Sequence, residues 1–387
     1  MQRIPPFKTL DAFRGFAAIW VVMAHISDRW IPDASSPYLK EPLYAFASVG
    51  QLGVVIFFVI SGYCITAAAY SALVTGKSVW RYGYERVRRI YPPYLAALIL
   101  TVLSVMAINF ANAHHLVGEV HHLQTVSLDP KYWFANLFLL QYELHTSMVN
   151  VVFWSLGYEI AFYFIIGVFL LGGQWIAARR NAHAGTAFFV CCVGVSTMCT
   201  LAYLLTFAQP LFPFDGWHQF SLGGLLFFLL EFNSGTVANY TKGLRRIVLA
   251  NTCAVAILVL LYAIFRHVGM DDYGHPSSKI RSYLCLLFAA LLVGLRRIDE
   301  KLSSHLLMRP LVWAGAFSYS LYLAHPIVLP YADILCRRAG LNGSIFWIAF
   351  WIEIAVALAF GRIFYLLVEK RFISKRQVQR LAAEHVA

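Results

Sequence analysis

Ten apolar runs, each close to the length needed to cross a bilayer, leave this chain few folds to choose from. They lie near residues 9–27, 52–71, 92–110, 149–171, 186–208, 217–230, 248–265, 281–295, 311–330 and 344–368, separated by loops rich in Pro, Gly and charge. About twenty apolar residues cross the hydrocarbon core as a helix, and lipid offers no partner to an open backbone, so the runs predict membrane helices. Only 13% of the residues are charged and 60% are hydrophobic, where a soluble domain carries about 25% charged residues. The expectation is an all-α, polytopic integral membrane protein with about ten transmembrane helices. A shorter apolar piece at residues 133–141 is too brief to cross and is expected to be interfacial or re-entrant.

A net charge of +12 would also suit a nucleic-acid binder, but the cations fall on alternate loops. With the N-terminus inside, the outer loops hold only Arg29, Lys40, Lys131, Arg266, Lys279, Arg337 and Arg338, with Arg281 at a span edge. Apart from Arg14 and Arg362, which lie within runs, the remaining cations then lie in the cytoplasm, which predicts both termini cytoplasmic and an even number of spans. The basic balance reports topology and anionic lipid, not nucleic acid. Seven cysteines, most of them within the runs, fit neither a disulfide framework nor a zinc pattern. The first run lacks a small-residue cleavage site and carries charge, so it does not read as a removable signal peptide.

Ionisable residues inside such runs need a reason. The first run carries Asp11, Arg14 and His25. An Arg near the centre of an inserted helix costs about 2.5–3.5 kcal/mol, so such groups face a protein interior and often mark a site. Arg14 and His25 are eleven positions apart, about three helical turns and about 16 Å of rise, which puts them on nearly one face at different depths. In the second run Ser61-Gly62 permits close helix approach and offers one hydroxyl near mid-membrane. Arg86 and Arg89, just ahead of Tyr91-Pro92-Pro93, share a helical face. They suit a phosphate clamp, and the same composition serves as a positive-inside anchor.

The fourth run places Glu159 near mid-membrane, with Ser155 and Tyr163 one turn away on the same face. The ninth run should deliver His325 to the outer third, with Pro326 kinking the helix. His25, His325 and Glu159 are therefore expected to converge in an outer-facing cavity, with Arg14, Arg86 and Arg89 toward the inside. Glu353 and Arg362 in the tenth run lie on opposite faces and need partners on other helices. Asp215, Trp217 and His218 form a polar, aromatic rim at the sixth run. His114, His115, Glu119, His121 and His122 match no defined metal motif. They predict an exposed interfacial helix, and no metal site is expected.

Several short motifs recur in a fixed order along the chain. They are Leu-Asp-x-x-Arg-Gly at residues 10–15 with His25 beyond it, Gly-Val-x-x-Phe-Phe-Val-x-Ser-Gly at 53–62, and Arg-x-x-Arg ahead of Tyr-Pro at 86–92. Trp-Ser-Leu-x-x-Glu follows at 154–159 and Ser-Tyr-x-x-Tyr-Leu-x-His-x at 318–326. Together they resemble the acyltransferase-3 family of membrane O-acyltransferases, which acylate cell-surface and exported carbohydrates. The resemblance covers residues 10 to about 369 and implies a ten-helix domain over residues 1–369, followed by a basic cytoplasmic tail at 370–387. It implies passage of an acyl group, commonly acetyl from acetyl-CoA, from the cytoplasmic side to a hydroxyl at the outer face. The residues it ties to activity are Arg14, His25, Arg86 and Arg89. Where many members continue the Glu159 element with Glu and Gln, this chain has Ile160 and Ala161, which looks like the branch that modifies exopolysaccharides. No esterase-like domain is expected after the last span.

On that basis His25 is expected to act as general base or transient acyl carrier. Glu159 or Asp11 would hold its tautomer, and Arg14 would stabilise the developing oxyanion or hold a donor carbonyl. Arg86 and Arg89 would grip the phosphates of acyl-CoA, while His325, Tyr319 and Ser61 would contact the acceptor. Acyl-CoA is expected as co-substrate, with no tightly bound cofactor. The other partners are a carbohydrate such as exopolysaccharide, O-antigen or glycolipid, and the lipid of a bacterial plasma (inner) membrane. The rival reading is a proton-coupled transporter or flippase, in which Asp11, His25, Glu159 and His325 form a proton relay. No inverted repeat is evident to support it.

Overall fold

A computed structural model of the chain describes residues 7–30, 41–115, 126–206, 212–233, 241–265, 278–341 and 345–373. Its helices are α1 (Thr9–Arg29), α2 (Pro42–Ser48), α3 (Gly53–Thr75), α4 (Val79–Ala113), α5 (Pro130–Phe138), α6 (Trp154–Arg179) and α7 (Ala182–Thr206). They continue with α8 (Trp217–Asn233), α9 (Lys242–Phe265), α10 (Ser278–Leu295), α11 (Asp299–Ser303), α12 (Arg309–Gly315), α13 (Ser318–Arg338) and α14 (Phe346–Leu367). No strand occurs among the described residues. The chain is an all-α polytopic membrane protein. Glu119, His121, His122 and the tail beyond Ile373 lie outside the described residues.

Each predicted run has a helix. Among the described residues seven helices are long and apolar enough to cross a membrane, or eight if a bent pair counts as one span. Helices α8 and α10, with 17 and 18 residues, are about 26 and 27 Å long, close to the ~30 Å hydrocarbon thickness. The short piece near Trp133 forms α5, nine residues started by Asp129, whose carboxylate accepts from the Lys131 amide, and by Pro130 in the first turn.

The ninth run departs from expectation. It is two helical pieces, Leu306–Gly315 and Ser318–Arg338, meeting at 70°. Helix α13 continues through Pro326 and Pro330, so the sharp bend lies at Ala316–Phe317, where Phe317 leaves helical geometry (φ −126°, ψ 22°). The cause is contact with α1. A Cβ on Gly315 would stand 1.8 Å from the Asp11 carbonyl oxygen, and one on Gly15 would stand 1.9 Å from that of Leu311. Backbones this close require glycine on both sides, and the chain turns where the crossing ends.

The helices form two compact units: one of Met1–Leu10, Val54–Val87 and Tyr158–His305, the other of Asp11–Gly53, Arg88–Gly157 and Leu306–Ala387. In the first unit α8 packs against α7, α9 and α10. Its Phe220 stacks on Phe58 (ring centroids 4.2 Å) and Phe162 (4.8 Å). Helix α3 crosses α8 at backbone contact, since a Cβ on Gly62 would lie 1.9 Å from the Phe220 oxygen and one on Gly223 2.0 Å from that of Val59. Buried Glu231 accepts from the Tyr63 hydroxyl (2.7 Å) and Arg296 (3.1 Å). Asp299 accepts from the backbone amides of Lys8 (3.0 Å) and Thr9 (2.8 Å), two donors that the start of α1 leaves without helical acceptors.

In the second unit α13 packs along α14, and Gly361 admits the α13 backbone at Leu321, 2.9 Å from its would-be Cβ. Buried Asn136 organises the segment after α5: its amide donates to Tyr132 (2.9 Å) and Ser147 (3.1 Å) carbonyls, and its oxygen accepts from Val149 N (2.9 Å) and Gln141 (3.2 Å). Farther along, the Ser155 and Tyr322 hydroxyls pair at 2.8 Å.

The glycine crossings make a selective prediction. Gly62→Ala or Gly223→Ala sets a Cβ against a carbonyl that cannot move aside and should destabilise the protein by about 1–3 kcal/mol or more. Gly294→Ala, with nothing within 4 Å, should be neutral or stabilising by up to about 1 kcal/mol. Thermal unfolding of the three purified variants checks the contrast.

Candidate active site

The second unit brings His25 and His325 together, their rings meeting edge to face with centroids 5.0 Å apart. Each ring is tied to its own helix. His25 Nδ1 lies 2.9 Å from the Val21 carbonyl oxygen, and His325 Nδ1 lies 3.0 Å from that of Leu321. A carbonyl oxygen only accepts, so in both neutral rings Nδ1 carries the proton and Nε2 is the basic nitrogen. His325 is fully buried, and its Nε2 has no hydrogen-bond partner.

These contacts revise two expectations. The His25 tautomer is set by the backbone of its own helix rather than by a carboxylate. Asp11 lies fourteen residues away on the same helix, about 21 Å of rise, and its carboxylate faces Arg14 (3.4 Å). His325 is eight residues into α13, about 10 Å from its start and about 20 Å from its end. The broken ninth span therefore holds His325 nearer its first end than an unbroken helix would.

One turn beyond His25 the end of α1 is clamped. Trp30 donates its indole N–H to buried Glu353 (2.7 Å) and lies between the Arg337 guanidinium (4.1 Å) and Phe346 (5.6 Å). Arg337 also donates to the Arg29 carbonyl (2.9 Å) and to Asp333 (2.6 Å). The partner that Glu353 needed is thus Trp30, while Arg362 lies over the rings of Phe317 (5.6 Å) and Tyr365 (5.2 Å).

At the other end of the same unit, Arg14 pairs with Asp11, and the glycine that follows it admits α12. Buried Glu369 accepts from the Ser320 hydroxyl, and Arg89 and Arg14 are the cations that act on it. Tyr319 donates its hydroxyl to the Ile90 carbonyl (3.0 Å). Glu369 and Ser320 did not stand out in the sequence. The one available signal was a carboxylate directly after the last apolar run.

Glu159 and Ser61 belong to the first unit. Glu159 Oε1 accepts from the hydroxyls of Tyr163 (3.1 Å) and Ser61 (3.4 Å). The Tyr163 ring also lies 6.0 Å from the guanidinium carbon of Arg86, which Tyr82 flanks at 5.7 Å. Serine, tyrosine, carboxylate and guanidinium thus form one polar chain. Arg86 and Arg89 are both half-buried on α4.

The acyltransferase-3 domain model, described as "Acyltransferase domain", matches residues 7–366. The chain belongs to the acyltransferase-3 family. All the residues just described except Glu369 fall within that acyltransferase-3 match. A relative in Bacillus subtilis named "Putative peptidoglycan O-acetyltransferase YrhL" is 22% identical over 377 residues, 93% of this chain and 54% of the relative. An "O-acetyl transferase" of Shigella phage Sf6 is 24% identical over 367 residues, 94% of this chain and 96% of the relative. The chain thus spans about half the length of the Bacillus acyltransferase-3 relative and nearly all of the phage one. No solved structure gives a significant match. None of the seven cysteines forms a disulfide.

The clamp on α1 can be tested. Trp30→Phe removes the indole donor from Oε1 of a buried carboxylate whose Oε2 already has no partner and should cost about 1–3 kcal/mol. Adding Glu353→Leu should recover much of that loss, because no buried polar group is then stranded. Denaturation of the two single variants and the double variant measures the coupling.

Proposed function

We propose that this chain is a membrane O-acyltransferase that moves an acyl group, acetyl in the names of its relatives, from cytoplasmic acyl-CoA to a hydroxyl of a cell-surface or exported carbohydrate. It would work in the bacterial inner membrane with both termini in the cytoplasm, taking acyl-CoA as co-substrate. The observation that carries the reading is His25, whose Nδ1–H is held by the Val21 carbonyl so that Nε2 is the base.

The acceptor hydroxyl gives its proton to His25 Nε2 as its oxygen attacks the acyl carbonyl. The C–S bond then breaks, and the departing thiolate takes that proton back. Arg14, oriented by Asp11 and about three helical turns from His25, does not reach the carbonyl that His25 serves and instead acts on the donor from the other end of α1. Arg86 and Arg89 grip phosphate groups of the donor, Arg86 being steadied by the Tyr82 and Tyr163 rings. In the first unit Glu159 is held by Tyr163 and Ser61, and Tyr319 serves the acceptor. Tyr319 offers it oxygen lone pairs, since its hydroxyl hydrogen is donated to the Ile90 carbonyl.

Purified full-length protein given labelled acetyl-CoA should release CoA in step with labelling of exopolysaccharide or peptidoglycan fragments. His25→Ala should reduce that rate by about 10²–10⁴-fold. A correctly inserted His25→Ala protein working at the wild-type rate would sink the assignment. Arg86→Ala and Arg89→Ala should each raise KM for acetyl-CoA about tenfold or more with a smaller change in kcat, the loss of a charge-assisted phosphate contact. Movement of unmodified glycan across vesicles without CoA release would favour the transporter reading instead.

A further inference from the structure

With Arg14 about three turns from His25, the His25 end of α1 still needs a group to meet negative charge. Arg29 stands there. It follows His25 by four residues on the same helix, which puts the two on one face, about 6 Å apart along the axis. A helical side chain leans toward the turn before its own Cα, so Arg29 leans back over His25. It is also one of the charges that act on His325, whose ring meets that of His25. His25 and Arg29 are both half-buried, so each keeps surface for an incoming group.

The bonding around Arg29 fixes its backbone and leaves its head unused. Its carbonyl accepts from Arg337 (2.9 Å). Among the described residues its guanidinium forms no hydrogen bond or ion pair. The carboxylates that act on it are Asp333, Glu353 and Asp28. Asp333 is taken by Arg337 (2.6 Å), and Glu353 Oε1 by the Trp30 indole (2.7 Å). They favour a cation at this place without occupying its N–H groups. Arg14 is the opposite case, since its guanidinium faces Asp11 at 3.4 Å. A guanidinium with unused donors, one turn from a base that activates a nucleophile, is suited to negative charge that develops during reaction.

We propose that Arg29 is a catalytic residue that binds the oxyanion formed on the acyl carbonyl beside His25. The proposal rests on the acyl-transfer reading. The acceptor oxygen bonds to the acyl carbon as its proton passes to His25 Nε2, and the C=O π pair moves onto the carbonyl oxygen. Arg29 N–H groups receive that oxygen. When the C=O bond re-forms, the C–S bond breaks and the thiolate takes the proton from His25.

The test uses full-length protein in lipid nanodiscs with labelled acetyl-CoA and peptidoglycan or exopolysaccharide fragments. Arg29→Gln should lower kcat about 10²–10³-fold, the loss of an oxyanion donor, with KM for acetyl-CoA little changed. Arg29→Lys keeps the charge but not the planar fork and should lower kcat about tenfold. Arg338→Ala removes the same charge from an exposed position at the end of α13 and should keep the wild-type rate. A wild-type kcat in Arg29→Gln overturns the proposal, and so does an equal loss in Arg338→Ala. If Arg29→Gln does not insert, a wild-type kcat in Arg29→Lys overturns it instead. Wild-type protein that releases no CoA in response to either glycan rejects acyl transfer to them and the role of Arg29 together. Release that is undiminished in Arg29→Gln keeps acyl transfer and rejects Arg29 alone.

Discussion

A polar group inside a bilayer must find its partner in the protein, because the surrounding hydrocarbon offers none. Most of what distinguishes this molecule from a bundle of greasy helices follows from that requirement. His25 and His325 meet it within their own helices, each using the carbonyl one turn back. That choice leaves Nε2 as the basic nitrogen of each ring.

The same requirement organises the rest of each unit. In the second, Glu353 is held by Trp30, Arg337 closes the end of α1, and Glu369 rests on Ser320. In the first, Glu231 collects Tyr63 and Arg296, and Glu159 collects Tyr163 and Ser61. Glycines set how closely the backbones that carry these groups approach. The Arg-Gly pair at residues 14–15 is informative here: Gly15 brings α12 against α1 at the position of Arg14. The motif therefore joins a chemical residue to the packing contact that fixes its surroundings.

Long-range electrostatics follow as a consequence. Arg14 and Arg89 act on one buried carboxylate, Glu369, and Arg29 acts on His325. Charges in a medium of low dielectric constant interact strongly, so each group sets the conditions under which its neighbours can gain or lose a proton. A substitution that looks remote in sequence, such as one at Glu369, is close to Arg14 in this sense.

Fold class and membrane character were legible in the sequence, because lipid demands runs of about twenty apolar residues wherever a helix crosses. Arg14, His25, Glu159 and His325 could be singled out for the same reason, since ionisable groups inside such runs are costly. Which atoms those groups touch was not legible. The carbonyls of Val21 and Leu321 look like any others in a sequence, Glu369 reads as the edge of a basic tail, and the break at Ala316–Phe317 has no proline to announce it. Hydropathy is a property of the chain in order and survives being read one residue at a time. A hydrogen bond or a backbone crossing depends on where two distant segments come to rest, and only the tertiary structure decided that.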